Sequence, residues 1–458
     1  MIVSPVFAGR KYAVLGLARS GMTAVRSLLA SGAQVMAWDS REEPRQALAE
    51  DCAAGRCELA DPASADLTGF DGIVVSPGVP LNTHPIAAAA ERWGVPVIGD
   101  IELFALARAS LPDHRVVGIT GTNGKSTTTA LVRHLLEVAG YPVRMGGNIG
   151  LPILGTVPLE PNAKGPGVYV LELSSYQIDL THSLDCDVAA LLNITPDHLD
   201  RYDGFTGYAA SKARLFAMQS AGRPAVFGTG DDKTLAIARR EEARRASGAV
   251  HRVDGADLVA LQKDWPSLQG PHNLQNAAVA VAIVEALGLE RPDWEPGLRT
   301  FHGLPHRMEH VAQAHGVTYV NDSKATNPAS TAPAIAAFPR DPKPRIHWIL
   351  GGLPKGDNLD ECKPWFGNIK AAYTIGDAGP LFADLLEPYT HVVRSEMMAQ
   401  AIRQAMDVAV PGDVIMLSPA CASFDQFRDY EARGDAFRQI VEALLEQDAE
   451  QSGGAKDN

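Results

Sequence analysis

The chain has 458 residues, which is enough for about three domains. Its apolar content of 46% and charged content of 21% are typical of a globular protein in water, and its net charge of −13 argues against a nucleic-acid-binding surface, which needs clustered basic residues. No run approaches the roughly 18 apolar residues of a membrane span, and the first residues lack a signal-peptide pattern. We therefore expect a cytoplasmic protein without membrane insertion.

The five cysteines are odd in number, scattered and without metal-ligand spacing. Such cysteines are typical of a reducing cytoplasm, so we expect all of them to be buried free thiols. They are Cys52, Cys57, Cys186, Cys362 and Cys421.

Residues 1–108 alternate short apolar strands with helical segments, a pattern that predicts a parallel sheet in a Rossmann-like domain. The turn Gly16-Leu-Ala-Arg-Ser-Gly21 follows the first strand and approximates a nucleotide-binding loop. Asp39 lies 23 residues after Gly16, at the end of the second strand, where an acid that binds a ribose would lie. A dinucleotide or any other nucleotide diphosphate satisfies this pattern, and a tight turn without a ligand is the alternative.

Residues 109–303 open with the most informative segment of the chain, Gly121-Thr-Asn-Gly-Lys-Ser-Thr127. It lies between an apolar strand pattern at 115–119 and a helical pattern in which Leu131 and Leu135 share a face. Glycines let backbone N–H groups approach phosphates, and a helix N-terminus adds partial positive charge. Ile119 stands where the strict P-loop pattern requires glycine, so the segment predicts a variant polyphosphate-binding loop.

Three further residues of this part of the chain can serve a metal ion near that loop. Glu172 closes an apolar strand, where a carboxylate beside a phosphate loop can hold Mg²⁺; an edge-strand acid in water is the alternative. His198 lies in a loop with two acids and is either a metal ligand or a structural histidine. Lys212 lies in the helical pattern 206–218, where most lysines are solvated.

The pair Asn273 and Asn276 stands at the start of an apolar helix. Residues three apart face the same way on a helix, so both amides can hydrogen-bond a base or a phosphate. Helix capping is the alternative for Asn273.

Residues 304–446 again alternate strands with helices and predict a second Rossmann-like domain, followed by a polar tail at 447–458 that we expect to be disordered. Ligands of parallel sheets bind at the carboxyl ends of the strands. Polar loops next to strand ends or linkers therefore predict one ligand-binding face. These loops are 303–309, 321–327, 351–356 and 418–423.

Taken together, these segments resemble the Mur ligase family, whose ATP loop has the same variant pattern. The matching motifs extend from Gly16 to Tyr430. Besides 121–127 they are Gly147-Asn-Ile-Gly150, Leu171-Glu-Leu-Ser-Ser-Tyr176, His198-Leu-Asp-Arg-Tyr202, His272-Asn273, Asn276, Gly303-Leu-Pro-His-Arg307, Asn321-Asp-Ser-Lys-Ala-Thr326 and Ser418-Pro-Ala-Cys-Ala-Ser-Phe-Asp-Gln-Phe427.

The resemblance implies an α/β protein of three domains: a Rossmann-like UDP-substrate-binding domain at 1–108, a P-loop-type ATP-binding domain with a mostly parallel sheet at 109–303, and a Rossmann-like glutamate-binding domain at 304–446. It implies that ATP phosphorylates the carboxylate of UDP-N-acetylmuramoyl-L-alanine and that the amine of D-glutamate attacks the acyl phosphate, in peptidoglycan precursor synthesis. Phosphorylation gives a poor electrophile a leaving group. The resemblance also suggests a monomer.

The resemblance further assigns roles around the metal ions. Lys125 would bind the transferring phosphate, Ser126 and Glu172 one Mg²⁺, and His198 and Lys212 a second Mg²⁺. Lys212 resembles the family's carbamylated lysine, in which a CO₂ adduct converts a cation that repels Mg²⁺ into a carboxylate-like anion. Lys125, His198 and Lys212 are the implied catalytic residues.

The remaining implied contacts fall into three groups. ATP would be bound by Gly121, Thr122, Asn123, Gly124, Lys125, Ser126, Thr127, Asn273, Asn276, Arg307 and Asp322. The UDP-muramoyl substrate would be bound by Leu17, Asp39, Ser40, Gly78, Asn148 and Ser174. Glutamate would be bound by Thr326, Lys355, Ser423, Phe424 and Tyr430.

Three other interpretations stay open at this point. A folylpolyglutamate synthase shares the ATP loop but has no need of an N-terminal nucleotide domain with Asp39. A dinucleotide-dependent oxidoreductase, inferred from Gly16 to Asp39, leaves residues 121–127 unexplained. A non-enzymatic P-loop regulator leaves the C-terminal polar loops unexplained.

Overall fold

The computed structural model describes residues 1–52, 55–197 and 201–454, and its strands form three sheets. The strands of the first sheet are β1 (Lys11–Leu15), β2 (Gln34–Trp38), β3 (Cys57–Leu59), β4 (Gly72–Val75) and β5 (Val97–Ile98). The accompanying helices are α1 (Arg19–Ala30), α2 (Glu42–Gln46), α3 (Ala49–Cys52), α4 (Ile86–Trp93) and α5 (Asp100–Ala107). The strand order is β3-β2-β1-β4-β5 and all pairs are parallel, which confirms the Rossmann-like prediction.

The second sheet carries the predicted phosphate loop. Its strands are β6 (His114–Thr120), β7 (Val143–Gly147), β8 (Gly167–Glu172), β9 (Val188–Leu191), β10 (Ala225–Gly228) and β11 (Val250–Val253). The helices of this part of the chain are α6 (Lys125–Val138), α7 (Ser175–Asp179), α8 (Gly204–Met218), α9 (Asp232–Arg244), α10 (Pro271–Ala286) and α11 (Arg291–Thr300). The strands are parallel in the order β11-β10-β9-β6-β8-β7, so β6 lies inside the sheet and delivers the loop at its carboxyl edge.

The third sheet has one antiparallel edge. Its strands are β12 (Glu309–Ala314), β13 (Val317–Asn321), β14 (Ile346–Gly351), β15 (Ile369–Ile375), β16 (His391–Glu396) and β17 (Val414–Leu417). The helices are α12 (Pro328–Ala336), α13 (Gly379–Leu386), α14 (Met398–Val408) and α15 (Tyr430–Gly454). The order is β12-β13-β17-β14-β15-β16, with only the β12–β13 pair antiparallel.

The best-predicted strands are those that helices cover on both faces. Strands β8, β9, β14 and β17 are buried at every position, so their sequences are continuous apolar runs rather than alternating patterns. The strands that the sequence did not reveal are short, glycine-containing or exposed. For example, β11 has the sequence Val-His-Arg-Val and β7 ends in two glycines.

The chain divides into two compact units, one formed by residues 1–256 and 275–298 and the other by residues 257–274 and 299–458. The first unit holds both of the first two sheets, which share one apolar core. Phe104 on α5 and Tyr169 on β8 pack edge to face within that core, with ring centres 5.1 Å apart. The second unit holds the third sheet. The predicted boundaries after residues 108, 303 and 446 stay predictions.

Two predictions from the sequence were wrong. Helix α15 continues through Gly454, although we expected a disordered tail over 447–458, because polarity alone does not end a helix that contains good helix formers. Residues 455–458 of that predicted tail lie outside the described residues. Cys52 at the end of α3 and Cys57 at the start of β3 form a disulfide, with their Cα atoms 4.4 Å apart. Cys186, Cys362 and Cys421 are buried free thiols, as expected.

Candidate active site

The phosphate loop lies where β6 ends at Thr120 and α6 begins at Lys125. Gly121 and Gly124 have φ angles of 155° and 82°, which other residues rarely adopt. A side chain at Gly124 would collide with the amide of Asn276, which is buried on α10. The structure therefore places Asn276 against the loop and explains why residue 124 is glycine.

A second loop, after β9, holds the phosphate loop in place. The side-chain oxygen of Asn193 accepts a hydrogen bond from the backbone N–H of Asn123 at 2.9 Å, and its amide nitrogen donates to the carbonyl of Asn123 at 3.1 Å. The backbone N–H of Thr122 also donates to the carbonyl of Asn193. Asn193 was not predicted from the sequence, although an amide directly after a buried strand was an available signal.

The ammonium group of Lys125 contacts the backbone of the phosphate loop. Its ammonium donates to the carbonyls of Gly121 at 2.9 Å and Thr122 at 2.8 Å. Ser126 and Thr127 follow in the first turn of α6 and are half-buried. The loop thus presents a lysine, two hydroxyl groups and a helix N-terminus at one edge of the sheet, a combination that suits a polyphosphate.

Glu172 ends β8 beside this loop and is buried. Its Oε1 accepts a hydrogen bond from the side-chain amide of Asn148 at 3.1 Å, and the backbone N–H of Asn148 donates to the Glu172 carbonyl. Its Oε2 is buried and has no hydrogen-bond partner in the described part of the chain. The alternative of a solvated edge-strand acid is therefore wrong, and the unpartnered oxygen suits a bound cation.

Lys212 is buried, which overturns the expectation that a helical lysine is solvated. Only 1% of the residue is exposed, and its ammonium donates to the carbonyl of Gly121 at 2.8 Å. The ammonium also lies 4.7 Å from the ring centre of Tyr208. Burial, with the nearby charge of Lys125, lowers the pKa of Lys212 to about 7, although Asp197 and other carboxylates oppose this shift.

The predicted metal ligand His198 lies outside the described residues. Within 1–52, 55–197 and 201–454, no three His, Cys, Asp or Glu side chains cluster as a metal site. Glu172 and the hydroxyl of Ser126 can each contribute an oxygen ligand at the phosphate loop.

Asp39 organises the candidate nucleotide turn in the first sheet. Its Oδ2 accepts a hydrogen bond from the backbone N–H of Leu17 at 2.7 Å, and its Oδ1 accepts one from the N–H of Arg41 at 3.0 Å. Burial opposes ionisation, but these donors and the Arg41 guanidinium outweigh it, so the pKa of Asp39 is lowered. Ser40, which follows Asp39 in the sequence, is exposed. Gly78, three residues after the end of β4, is also exposed.

Ser174 has a structural task in this structure. Its hydroxyl caps α7 by accepting from the backbone N–H of Gln177 at 3.2 Å, and the Gln177 side chain reciprocates. A substrate contact by Ser174 stays a prediction.

In the second unit, Asp322 follows β13 and is buried. Its Oδ2 accepts from the hydroxyl of Ser418 at 2.7 Å, and its Oδ1 accepts from the backbone N–H of Met308 at 3.1 Å. Burial raises the pKa of Asp322 to about 7 despite these donors and the positive charge of Arg307. These contacts bring together three of the four predicted polar loops, and the fourth, 351–356, joins them because the backbone N–H of Leu353 donates to the carbonyl of Ala422 at 3.0 Å.

Two of the predicted glutamate ligands are neighbours. The ammonium of Lys355 donates to the hydroxyl of Thr326 at 3.2 Å, although the residues are far apart in sequence. Ser423 is buried, whereas Phe424 is 69% exposed, an unusual position for a large apolar side chain. Tyr430 begins α15, and its hydroxyl accepts from the ammonium of Lys324 at 2.8 Å.

Arg433, which was not predicted from the sequence, fixes the loops around these ligands. The guanidinium is 1% exposed and donates to the hydroxyl and carbonyl of Ser323 and to the carbonyls of Cys421 and Ala422, at 2.9 to 3.1 Å. It therefore joins the loop that follows β13 to the loop that follows β17. Arginine in an ordinary helical pattern gives no sequence signal for such a role.

Asn273 and Arg307, two further predicted ATP ligands, have contacts that do not by themselves indicate a nucleotide site. Asn273, in the first turn of α10, donates to the carbonyl of Gln269 at 3.1 Å. Arg307 is half-buried between His306 and Met308, whose φ angles are positive. Their contacts with ATP stay predictions.

Comparison with known proteins identifies the family. A protein of Novosphingobium aromaticivorans named UDP-N-acetylmuramoylalanine–D-glutamate ligase is 68% identical over 446 residues, which cover 97% of both chains. The chain belongs to the Mur ligase family. Relatives with the same name in Sphingopyxis alaskensis and Caulobacter vibrioides are 60% and 42% identical, covering 97% and 98% of this chain and 100% and 98% of their own lengths.

The family models divide this Mur ligase as the sheets do. The MurD-like N-terminal domain matches residues 10–99, the Mur ligase middle domain matches 119–284, and the Mur ligase glutamate ligase domain matches 306–421. Among solved structures, the UDP-N-acetylmuramate-alanine ligase of Thermotoga maritima is similar with a TM-score of 0.54 at 15% identity, covering 95% of this chain and 99% of that one. At this identity the likeness shows the shared three-domain α/β fold.

No helix in the described ranges has the length and apolarity that a membrane span requires.

Proposed function

We propose that this Mur ligase joins D-glutamate to UDP-N-acetylmuramoyl-L-alanine at the expense of ATP, a step of peptidoglycan precursor synthesis. The observation that carries the proposal is the phosphate loop, flanked by the buried amine of Lys212 and by a Glu172 carboxylate oxygen that has no partner among the described residues. The name that the close relatives share supplies the substrates. A monomer in the cytoplasm, without a nucleic-acid partner, is part of the same proposal.

The reaction needs a phosphoryl transfer before the amide forms. ATP supplies the phosphoryl group that converts the alanyl carboxylate into an acyl phosphate, and the amine of glutamate then displaces phosphate. Phosphoryl transfer is catalysed mainly by positioning and by neutralising charge. The backbone N–H groups of the first turn of α6 and the ammonium of Lys125 would provide both at this edge of the sheet.

The residues beside the loop suit Mg²⁺. Glu172 offers a buried oxygen that no described group satisfies, and Ser126 offers a hydroxyl, so these two would hold one ion. Mg²⁺ would supply charge neutralisation for the phosphates. A second ion, held by His198 and Lys212, remains part of the proposal.

Lys212 suits a carbamate for two reasons. Only a neutral amine reacts with CO₂, and the lowered pKa keeps much of this amine neutral near pH 7. A protonated lysine buried beside Lys125 and the candidate metal site would repel a metal ion, whereas a carbamate would attract one. The carbamate would thus serve as an anionic support for the second Mg²⁺.

The other predicted residues would bind the two substrates and the rest of ATP. Leu17, Asp39, Ser40 and Gly78 would bind the UDP part, and Asn148 with Ser174 the muramoyl part. Thr326, Lys355, Ser423, Phe424 and Tyr430 would bind D-glutamate. Asn273, Asn276, Arg307 and Asp322 would bind ATP together with residues 121–127. The contact between Thr326 and Lys355 supports the glutamate group, because it pairs a cation with a hydroxyl that a carboxylate can bridge.

A phosphate-release assay tests the proposal. We expect ADP and phosphate only when ATP, UDP-N-acetylmuramoyl-L-alanine and D-glutamate are present together, and much lower turnover with L-glutamate. Equal ATP turnover without the amino acid would contradict a ligase. Turnover with a folate in place of the UDP substrate would favour a folylpolyglutamate synthase instead.

A further inference from the structure

Asp100 is a buried acid with no role in the proposed reaction. It is the first residue of α5 and is only 4% exposed. The backbone N–H of Ile101 donates to its Oδ1 at 3.0 Å, whereas its Oδ2 is buried and has no hydrogen-bond partner within the described residues. Such an oxygen is rare in folded proteins and calls for a physical explanation.

The surroundings of Asp100 are the two loops of the candidate nucleotide site. Asp100 shares a small cavity with Ser20 and Gly21 at the start of α1, and with Ser76 and Pro77 after β4. The hydroxyl of Ser76 donates to the carbonyl of Gly16 at 2.9 Å, so this cavity lies directly behind the turn. The space is too small for a water molecule to solvate the carboxyl group.

Two charged residues that adjoin this cavity in the sequence, Arg19 and Glu102, are engaged elsewhere. Arg19 on α1 donates to the carbonyl of Gly150 at 3.0 Å. Glu102 on α5 accepts from the N–H groups of His182 and Ser183 and from the Ser183 hydroxyl. No charged side chain lies on the neighbouring strand β4. Burial raises the pKa of Asp100 to about 6, although the N–H of Ile101 and the Ser20 hydroxyl oppose the rise.

A diphosphate at the turn would disfavour the ionised form of Asp100 further. The N-terminus of α1 attracts an anion, and an ionised Asp100 beside the same turn would repel it. The neutral carboxyl group has no such effect and leaves no bare charge in a space without water. Binding of the diphosphate and protonation of Asp100 should therefore favour each other.

We propose that Asp100 is a proton-linked positioning residue for the diphosphate of the UDP substrate: it is neutral when the diphosphate lies at the N-terminus of α1, and its ionisation weakens that binding. This inference rests on the proposed function, since it takes the turn from Gly16 to Gly21 as the diphosphate site. It adds a dependence of substrate affinity on pH that the reaction itself does not require.

Calorimetric titration of the full chain with UDP-N-acetylmuramoyl-L-alanine, without ATP or glutamate, tests the proposal between about pH 5.5 and pH 8.5. The diphosphate diester and the alanyl carboxylate keep their charges over this range, and the uracil N–H ionises mainly above it, so the substrate contributes little titration. For the wild type we expect the affinity to fall by up to about tenfold per pH unit above the titration of Asp100. We also expect uptake of up to about one proton on binding at pH 8, from runs in two buffers of different ionisation enthalpy.

Two variants separate Asp100 from other titrating groups. Asp100→Asn should bind at every pH as the wild type does at low pH, with less proton uptake at pH 8. Glu102→Gln removes another buried acid of α5, one whose oxygens are already partnered, and should keep the wild-type slope. Histidines contribute equally to all three proteins, so the difference between them isolates Asp100.

The outcomes distinguish the two proposals. Binding by the wild type without proton uptake, or an Asp100→Asn slope equal to that of the wild type, would overturn the role of Asp100 and leave the proposed function intact. No binding by the wild type at any pH would overturn the proposed function. The proton count of the wild type needs no variant, so an absence of proton uptake overturns the role of Asp100 even if Asp100→Asn does not fold.

Discussion

The burial of Lys212 leads to a quantitative prediction about its chemistry. With a pKa of about 7 instead of the ordinary 10.5, about three quarters of the amine is neutral at pH 7.5, against about one part in a thousand for a solvated lysine. Only the neutral amine reacts with CO₂. Lys212 should therefore be carbamylated far more readily than any solvated lysine of the chain.

The perturbation is Lys212→Ala, with Lys164→Ala as the matched control because Lys164 is exposed in the same unit. We expect Lys212→Ala to lose at least about a hundredfold in ligase turnover, and added acetate or formate to restore part of it by replacing the anion. Lys164→Ala should retain wild-type turnover. Circular dichroism checks that both variants are folded.

Carbon-13 NMR after equilibration with labelled bicarbonate observes the adduct directly. We expect a carbamate signal in the wild type and in Lys164→Ala, and its loss in Lys212→Ala. Because the pKa is lowered, the neutral fraction of Lys212 rises mainly between about pH 6 and pH 8 and then saturates, whereas that of a solvated lysine rises up to about pH 10 to 11. A wild type without the signal, together with no rescue of a folded Lys212→Ala, would refute the reasoning.

Three further predictions follow from other groups of the site. Glu172→Gln should lower turnover by at least about a hundredfold at low Mg²⁺ and recover as the Mg²⁺ concentration is raised, because the buried carboxylate loses its charge. A Mg²⁺ dependence equal to that of the wild type would contradict the metal role. Asp39→Asn should raise the KM for the UDP substrate about tenfold with little change in kcat, measured by steady-state kinetics, because its ionised form anchors the N–H of Leu17. The pKa of Asp322 is raised, so as the pH increases the unfolded state releases this proton before the folded state does. The stability that Asp322 contributes is therefore lost as the pH rises from about 4 to about 7, by up to about 4 kcal/mol. Asp322→Asn should flatten this part of the pH dependence in denaturant unfolding, and an unchanged curve would show that Asp322 does not titrate there.

The sequence predicted the elements whose local pattern is sufficient. These elements include the strand before Gly121, the helix that starts at Lys125 and the acid at the end of β2. They were predictable because buried parallel strands are continuous apolar runs and glycines mark tight turns. Short or exposed elements such as β7 and β11 were missed, since their stability comes from neighbouring strands rather than from their own residues. The continuation of α15 beyond Gln447 was missed because a polar helix and a polar tail have similar compositions.

Composition and motif determined the family and the phosphate loop, whereas the tertiary structure decided the state of each ionisable group. Nothing local distinguishes Lys212 from a solvated lysine, or Asp100 and Arg433 from ordinary residues of a helix. Their burial depends on chain segments that are distant in sequence, such as the Gly121 carbonyl beside Lys212 and the Ser323 loop beside Arg433. The cost of removing a charge from water depends on that packing, so the proton on Lys212 is a property of the fold and not of the motif.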